Sequence, residues 1–134
     1  MRLCDIADEH TCFVKIDTDG HDVSILNDSL AWLAGVRAAV LFENHIRTRE
    51  DCRRADELFH SLRRIGYKYF IVWDDPGFHL ISTSSIDILR NLNRYLLNVT
   101  QSAGHVGISN YDVVCLHERD QDVYQHIDAW YRTH

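Results

Sequence analysis

Three carboxylates and an imidazole, Asp17, Asp19, Asp22 and His21, follow directly on the apolar run that starts at Cys12, in the stretch CFVKIDTDGHD. Acids packed this closely repel one another, so something must offset the repulsion: a bound cation, the activation of a nucleophile, or the hydration of an open turn. A second polar group, Glu43-Asn44-His45, ends the apolar run AAVLF in the same manner. Aspartate suits proton acceptance or nucleophilic attack. Histidine, with an ordinary pKa near 6.5, suits general base work at neutral pH.

A calcium loop of EF-hand type is excluded by register. With Gly20 at that loop's glycine, Lys15 takes the first ligand position and Leu26 the place of the bidentate glutamate. The D-x-D-G pattern also resembles the haloacid dehalogenase type of phosphatase, with Asp17 as nucleophile, Asp19 as acid/base partner and Asp74-Asp75 as a later acidic motif. Against that likeness, His21 stands where those enzymes carry Thr, and no Ser/Thr strand end or phosphate-binding Lys lies between the acid pairs.

The elements that must position these residues follow from periodicity. Cys12 to Asp17 reads as a buried strand, and Val23, Leu26, Leu30 and Leu33 then recur at helical spacing, with Gly35 expected just past the helix end. Ala38 to Glu43 reads as the next strand. Thr48 with Asp51 forms a capping box opening a helix through Leu58, Leu62 and Ile65, which Gly66 ends. Tyr67 to Trp73 is a third strand, and Asp74-Asp75-Pro76-Gly77 turns it into a returning strand at Phe78 to Ser82. A helix along Ile86, Leu89, Asn93 and Leu96, a loop from Gln101 to Asn110, a strand at Tyr111 to Leu116 and a helix through Val123, Ile127 and Trp130 complete the chain. This order predicts a single α/β domain over residues 1–134, with parallel strands in its first half and an antiparallel hairpin later.

In open α/β sheets ligands bind beyond the carboxyl ends of the strands, so Asp17 and the Glu43-Asn44-His45 group are expected to converge on one crevice. The formal net charge of −6 argues against a nucleic-acid partner, since arginines such as Arg47, Arg49, Arg53 and Arg54 are interleaved with acids. No apolar run approaches the roughly 20 residues of a membrane span, and MRLCDIADEH lacks a signal-peptide core, which predicts a cytoplasmic protein. Cys4, Cys12, Cys52 and Cys115 form no C-x-x-C pair and predict neither a disulfide framework nor a structural zinc site. The remaining histidines, among them His60, His79, His105 and His117, lack metal-ligand spacing and are expected in surface or packing roles.

The segment FVKIDTDGHDVSIL, from Phe13 to Leu26, resembles the "LKIDVEGAE...VL" block of the FkbM family of S-adenosylmethionine-dependent methyltransferases, with Asp19 in place of its Glu. The resemblance continues in order: Leu3-Cys4-Asp5 is similar to the "LD" before that block, Val40-Leu41-Phe42-Glu43 to the "lllE" strand, and Ile65-Gly66-Tyr67 to the "GY" opening the next strand. It implies the C-terminal half of a Rossmann-like methyltransferase sheet of strand order 3-2-1-4-5-7-6. This chain's first strand then corresponds to strand four. The glycine-rich turn that binds the cofactor in the family's first half has no counterpart here.

Several expectations follow from the resemblance. The activity implied is methyl transfer to a small-molecule or sugar hydroxyl, with S-adenosylmethionine bound only if the missing half is supplied. Asp17 and His21 would be catalytic, while Asp19, Glu43, Asn44 and His45 would contact substrate. Asp22 would cap the helix that follows it. The likeness of Asp17, Glu43 and Asn44 to the magnesium ligands of catechol-type O-methyltransferases adds a possible Mg²⁺ site. Without strands one to three, Cys12 to Asp17 becomes an edge strand, so a homo-oligomer or a complementary subunit along it is expected. A non-catalytic interaction module on the same scaffold is the alternative in another functional class.

Overall fold

The computed structural model describes residues 1–102 and 108–134. Five strands, β1 (Phe13–Ile16), β2 (Ala39–His45), β3 (Tyr67–Asp74), β4 (His79–Thr83) and β5 (Asn110–His117), form one sheet in the order β1-β2-β5-β3-β4. The pair β1/β2 is parallel, with Val14 opposite Val40 and Ile16 opposite Phe42. The last strand, β5, enters between β2 and β3 and runs antiparallel to both. The expected hairpin is β3/β4, with Phe70 opposite Thr83. The α/β class therefore holds, with one parallel pair and three antiparallel ones.

Alternation along the strands sorts the side chains onto two faces. On one, Phe42 and Phe70 meet Phe59 of helix α3 (Arg49–Arg64) at centroid distances of 6.1 and 5.7 Å, the first contact tilted and the second edge-on, and helix α4 (Ile86–Gln101) packs beside α3. Leu58 and Leu62 of α3 and Leu89 and Leu96 of α4 are buried with them. Each such side chain contributes about 1.5–3 kcal/mol by leaving water. The opposite face receives α5 (Gln121–Thr133): Tyr124 stacks on Tyr69 at 4.6 Å, and Trp73 donates its indole N–H to the Tyr131 hydroxyl at 2.7 Å.

The capping box is present, with Thr48 Oγ1 accepting from the Asp51 amide and Asp51 Oδ2 accepting from the Thr48 amide. The segment after β1 departs from expectation. It is two short helices, α1 (Asp22–Asp28) and α2 (Leu30–Val36), broken at Ser29. Asn27, Asp28 and Ser29 are weak helix formers, and the buried Ser29 hydroxyl accepts a hydrogen bond from the Leu3 amide at 2.9 Å, fixing the bend. Gly35 lies within α2 rather than past it, and Arg37 takes the left-handed conformation at the helix end (φ 61°). Cys52 and Cys115 are buried, whereas Cys4 and Cys12 are exposed; Cys12 is thus no core residue. Among the described residues no helix is long and apolar enough to cross a membrane.

Candidate functional site

Parallel pairing of β1 with β2 carries both polar strand ends to the same edge of the sheet. One step beyond Ile16 and Phe42 come Asp17 and Glu43. Asp22 holds the two ends in place. Its Oδ1 accepts from the Thr18 amide at 3.0 Å and from the Thr18 hydroxyl at 2.5 Å, and its Oδ2 accepts from the Glu43 amide at 3.0 Å. The side chain is buried and makes no cap to its own helix, so its structural role is to join strand ends rather than to cap α1.

Glu43 is the hub of the crevice. Its Oε2 lies 2.8 Å from His45 Nε2, and its Oε1 accepts from the Asn110 side-chain amide. Asn110 Nδ2 also approaches Asp75 Oδ1 at 3.4 Å. Asp112 pairs with Glu43 across the β2/β5 ladder, and burial, reinforced by the charges of Glu43 and Asp75, raises its pKa above the ordinary carboxylate value.

Two recesses flank this hub. One of about 140 Å³ is bounded by Gly20, His21, Ser24, Glu43, His45 and Arg54, together with neighbouring residues of α1 and α3. The other, of about 180 Å³, is lined by Lys15, Asp17, Leu41, Glu43 and Asp112, with Ile16 and Phe42 at its base. Of the sequence-derived residues, His45 pairs with Glu43 directly, His21 shares one recess with Glu43, and Asp17 shares the other. Asp19 sits in the exposed turn between them with φ 52°.

Asn44 does not join them. Its side chain is fully buried on the opposite face, where its amide donates to Asn93 Oδ1 at 2.9 Å and to the Tyr111 hydroxyl at 2.8 Å. The reason is the two-residue period of β2: when Glu43 and His45 face the crevice, Asn44 must face the core. This removes Asn44 from the substrate contacts and breaks up the Asp17, Glu43, Asn44 set considered for Mg²⁺. Among the described residues no group of three or more His, Cys, Asp or Glu side chains is placed to hold a metal ion.

Sequence reasoning missed Asn110 and Asp112, and took Asp75 only as part of the Asp74-Asp75 acidic motif of the phosphatase likeness. Asn110 reaches Glu43 across 67 residues of sequence, a distance that no local pattern encodes. The one available signal was Asp112 itself, a lone charge in the otherwise apolar strand YDVVCL. Asp74 serves its turn, accepting the Phe78 amide at 2.7 Å. Of the other histidines, His117 is buried edge-on against Tyr67, and His105 lies outside the described residues.

Fold and site together define an α/β protein whose mixed five-stranded sheet carries an acidic, histidine-flanked crevice at the ends of its parallel strands. Comparison with family models, curated proteins and solved structures yields no match to this chain.

Proposed function

We propose that this chain is the C-terminal half of an FkbM-type, S-adenosylmethionine-dependent methyltransferase domain, acting on a small-molecule or sugar hydroxyl in the cytoplasm and incomplete without a cofactor-binding half. The observation that carries the reading is the strand order. The run β1-β2-β5-β3 matches 4-5-7-6 of the implied sheet, including the insertion of the last strand between its predecessors. The outer side of β1, where strand one would lie, is the sheet edge.

The residues present do not fit the cofactor on their own. The strand-end turn is acidic and carries no glycine-rich phosphate-type cradle. The two recesses around Glu43, of about 140 and 180 Å³, fall below the roughly 300 Å³ at which small-molecule pockets begin, and the larger one beside β1, of about 510 Å³, is an open, largely apolar trough along the strand edge. This half supplies the substrate side instead. Asp17 and His21 are the groups to accept or orient a hydroxyl proton, with Asp19, Glu43 and His45 shaping the mouth.

The test is calorimetric titration with S-adenosylhomocysteine of the chain alone and mixed with the glycine-rich half of an FkbM-type domain. The expected result is saturable binding by the mixture and none by either half. No binding by a mixture of two folded halves overturns the reading. The exposed apolar residues beside β1, Phe13 and Ile6, favour as second reading a non-catalytic module on the same scaffold, which would dock the added half without binding cofactor. A haloacid dehalogenase-like phosphatase would instead turn over a generic phosphate ester with Mg²⁺ and lose that activity in Asp17→Asn.

A further inference from the structure

The outer edge of β1 carries information about what pairs with it. The Ala39 amide donates to the Cys12 carbonyl at 2.9 Å. In a parallel ladder the groups that face a given neighbour alternate, so Cys12, Val14 and Ile16 point their backbone groups at β2. Phe13, Lys15 and the next residue, Asp17, point theirs outward. These same residues share one face of the strand, and Lys15 Nζ lies 4.0 Å from Asp17 Oδ2. Both side chains are more than half exposed, at 62% and 64%.

Beside this edge runs a recess of about 510 Å³, lined largely by apolar residues including Met1, Leu3, Ile6, Phe13, Val14 and Ile25. Met1, Ile6 and Phe13 are 70%, 69% and 53% exposed. An unpaired strand edge next to exposed apolar side chains is a template for another strand.

We propose that this edge pairs with the β1 edge of a second copy of the chain, antiparallel, about a two-fold axis passing through Ile16. A two-fold interface is self-complementary, so only a few registers are open. The outward-facing residues must pair with one another to exchange hydrogen bonds, which leaves axes through Val14, Lys15 or Ile16. An axis through Lys15 sets Lys15 against Lys15 of the second copy and leaves two like charges opposed. An axis through Val14 sets Phe13 against the lysine. The axis through Ile16 sets each Lys15 against the Asp17 of the other copy, giving two opposite-charge pairs and four backbone hydrogen bonds. Phe13, Met1 and Ile6 flank the seam.

The inference does not depend on the methyltransferase reading. The strand of a cofactor half would add to this same edge, so the dimer and the complemented domain are mutually exclusive occupants of it. The two are read by different measurements, mass here and cofactor binding above, and because the dimer competes with the added half, the cofactor titration is run with that half in excess over the chain.

The experiment is sedimentation equilibrium of the purified chain and three charge variants, with circular dichroism confirming that each is folded. The wild-type chain is expected to be a dimer. Lys15→Glu and Asp17→Lys each bring like charges together twice and are expected to weaken the dimer at least tenfold. The double variant Lys15→Glu/Asp17→Lys recreates the opposite pairing with its sense reversed and is expected to restore it. A monomeric wild type overturns the proposal. So does a dimer that both single variants leave intact, or one that the double variant fails to restore.

Discussion

Glu43 Oε2 and His45 Nε2 meet at 2.8 Å across one pleat of β2, while Asn44 between them points into the core and bonds to Asn93 and Tyr111. A single tripeptide thus serves two separate purposes on two faces of the sheet. The Tyr111 hydroxyl donates to Asn93 Oδ1 at 2.6 Å, and Asn93 Nδ2 donates to Asp56 at 2.8 Å, so the Asn44 side belongs to a chain of buried hydrogen bonds. Asn44→Ala is expected to lower the unfolding free energy by about 2–3 kcal/mol, because it leaves a void and strips a donor from a buried network. Glu43→Ala, on the wetter face, is expected to cost less than half as much. Urea unfolding of the two variants checks the contrast.

Close packing at the α3 to β3 turn yields a second expectation. Gly66 has φ 104°, and a Cβ placed there would lie 2.3 Å from His117 Nε2. The ring has little freedom to retreat, since it sits edge-on against Tyr67 and its Nδ1 accepts from the Arg119 amide at 3.2 Å. Gly66→Ala is expected to destabilise by at least about 2 kcal/mol, from backbone strain and collision together. Adding His117→Ala should recover the collision part only. A double-mutant cycle by thermal unfolding measures that split.

These residues also mark how far the sequence could be read. The turn glycine at 66, the capping box at Thr48 and the positions of the apolar strands are legible because local sterics and two- or four-residue periods write them into adjacent positions, although the first run, expected to be buried, leaves Phe13 and Lys15 exposed and buries only Ile16. The convergence of Asp17 with Glu43 followed from one topological rule about strand ends. The face of Asn44 is not legible despite the alternation, because three polar residues in a row conceal which face each takes. The break at Ser29 was illegible for another reason. Leu26, Leu30 and Leu33 keep helical spacing across it, which masks the weak helix formers Asn27, Asp28 and Ser29, and the hydrogen bond that holds the bend comes from Leu3, 26 residues away. Asn110 and Asp112 entered the site only through the insertion of β5 between β2 and β3, a pairing no local signal specifies.

Asp112 predicts a pH dependence of stability. Burial, followed by the charges of Glu43 and Asp75, raises its pKa in the folded chain above the ordinary value of 3.8. The folded state then binds this proton more tightly than the unfolded state. The associated stability is fully present below pH 3.8 and is lost as pH rises through the folded value. Asp112→Asn removes the ionisation while keeping the shape. Its melting temperature is expected to exceed that of the wild type at pH 7, with the difference shrinking towards pH 3. An equal gain at both pH values would mean that charge is not the cause.

The carboxylate of Asp22 ties the crevice together. Asp22 is 1% exposed, yet it accepts three hydrogen bonds from Thr18 and Glu43, and through them joins the end of β1 to the end of β2. Hydrogen bonds to a charged group contribute roughly 1.5–3 kcal/mol each, and these three share one acceptor, so they are not additive. Asp22→Ala is expected to lower stability by about 3 kcal/mol. If the role is local joining, the Thr18 and Glu43 amides should exchange with deuterium far faster in the variant than other amides of the sheet. Asp22→Asn keeps the carbonyl oxygen and one geometry, and should protect the Glu43 amide or the Thr18 amide but not both. Uniform acceleration across the whole sheet in Asp22→Ala would instead assign the residue to global stability and leave the crevice without its brace.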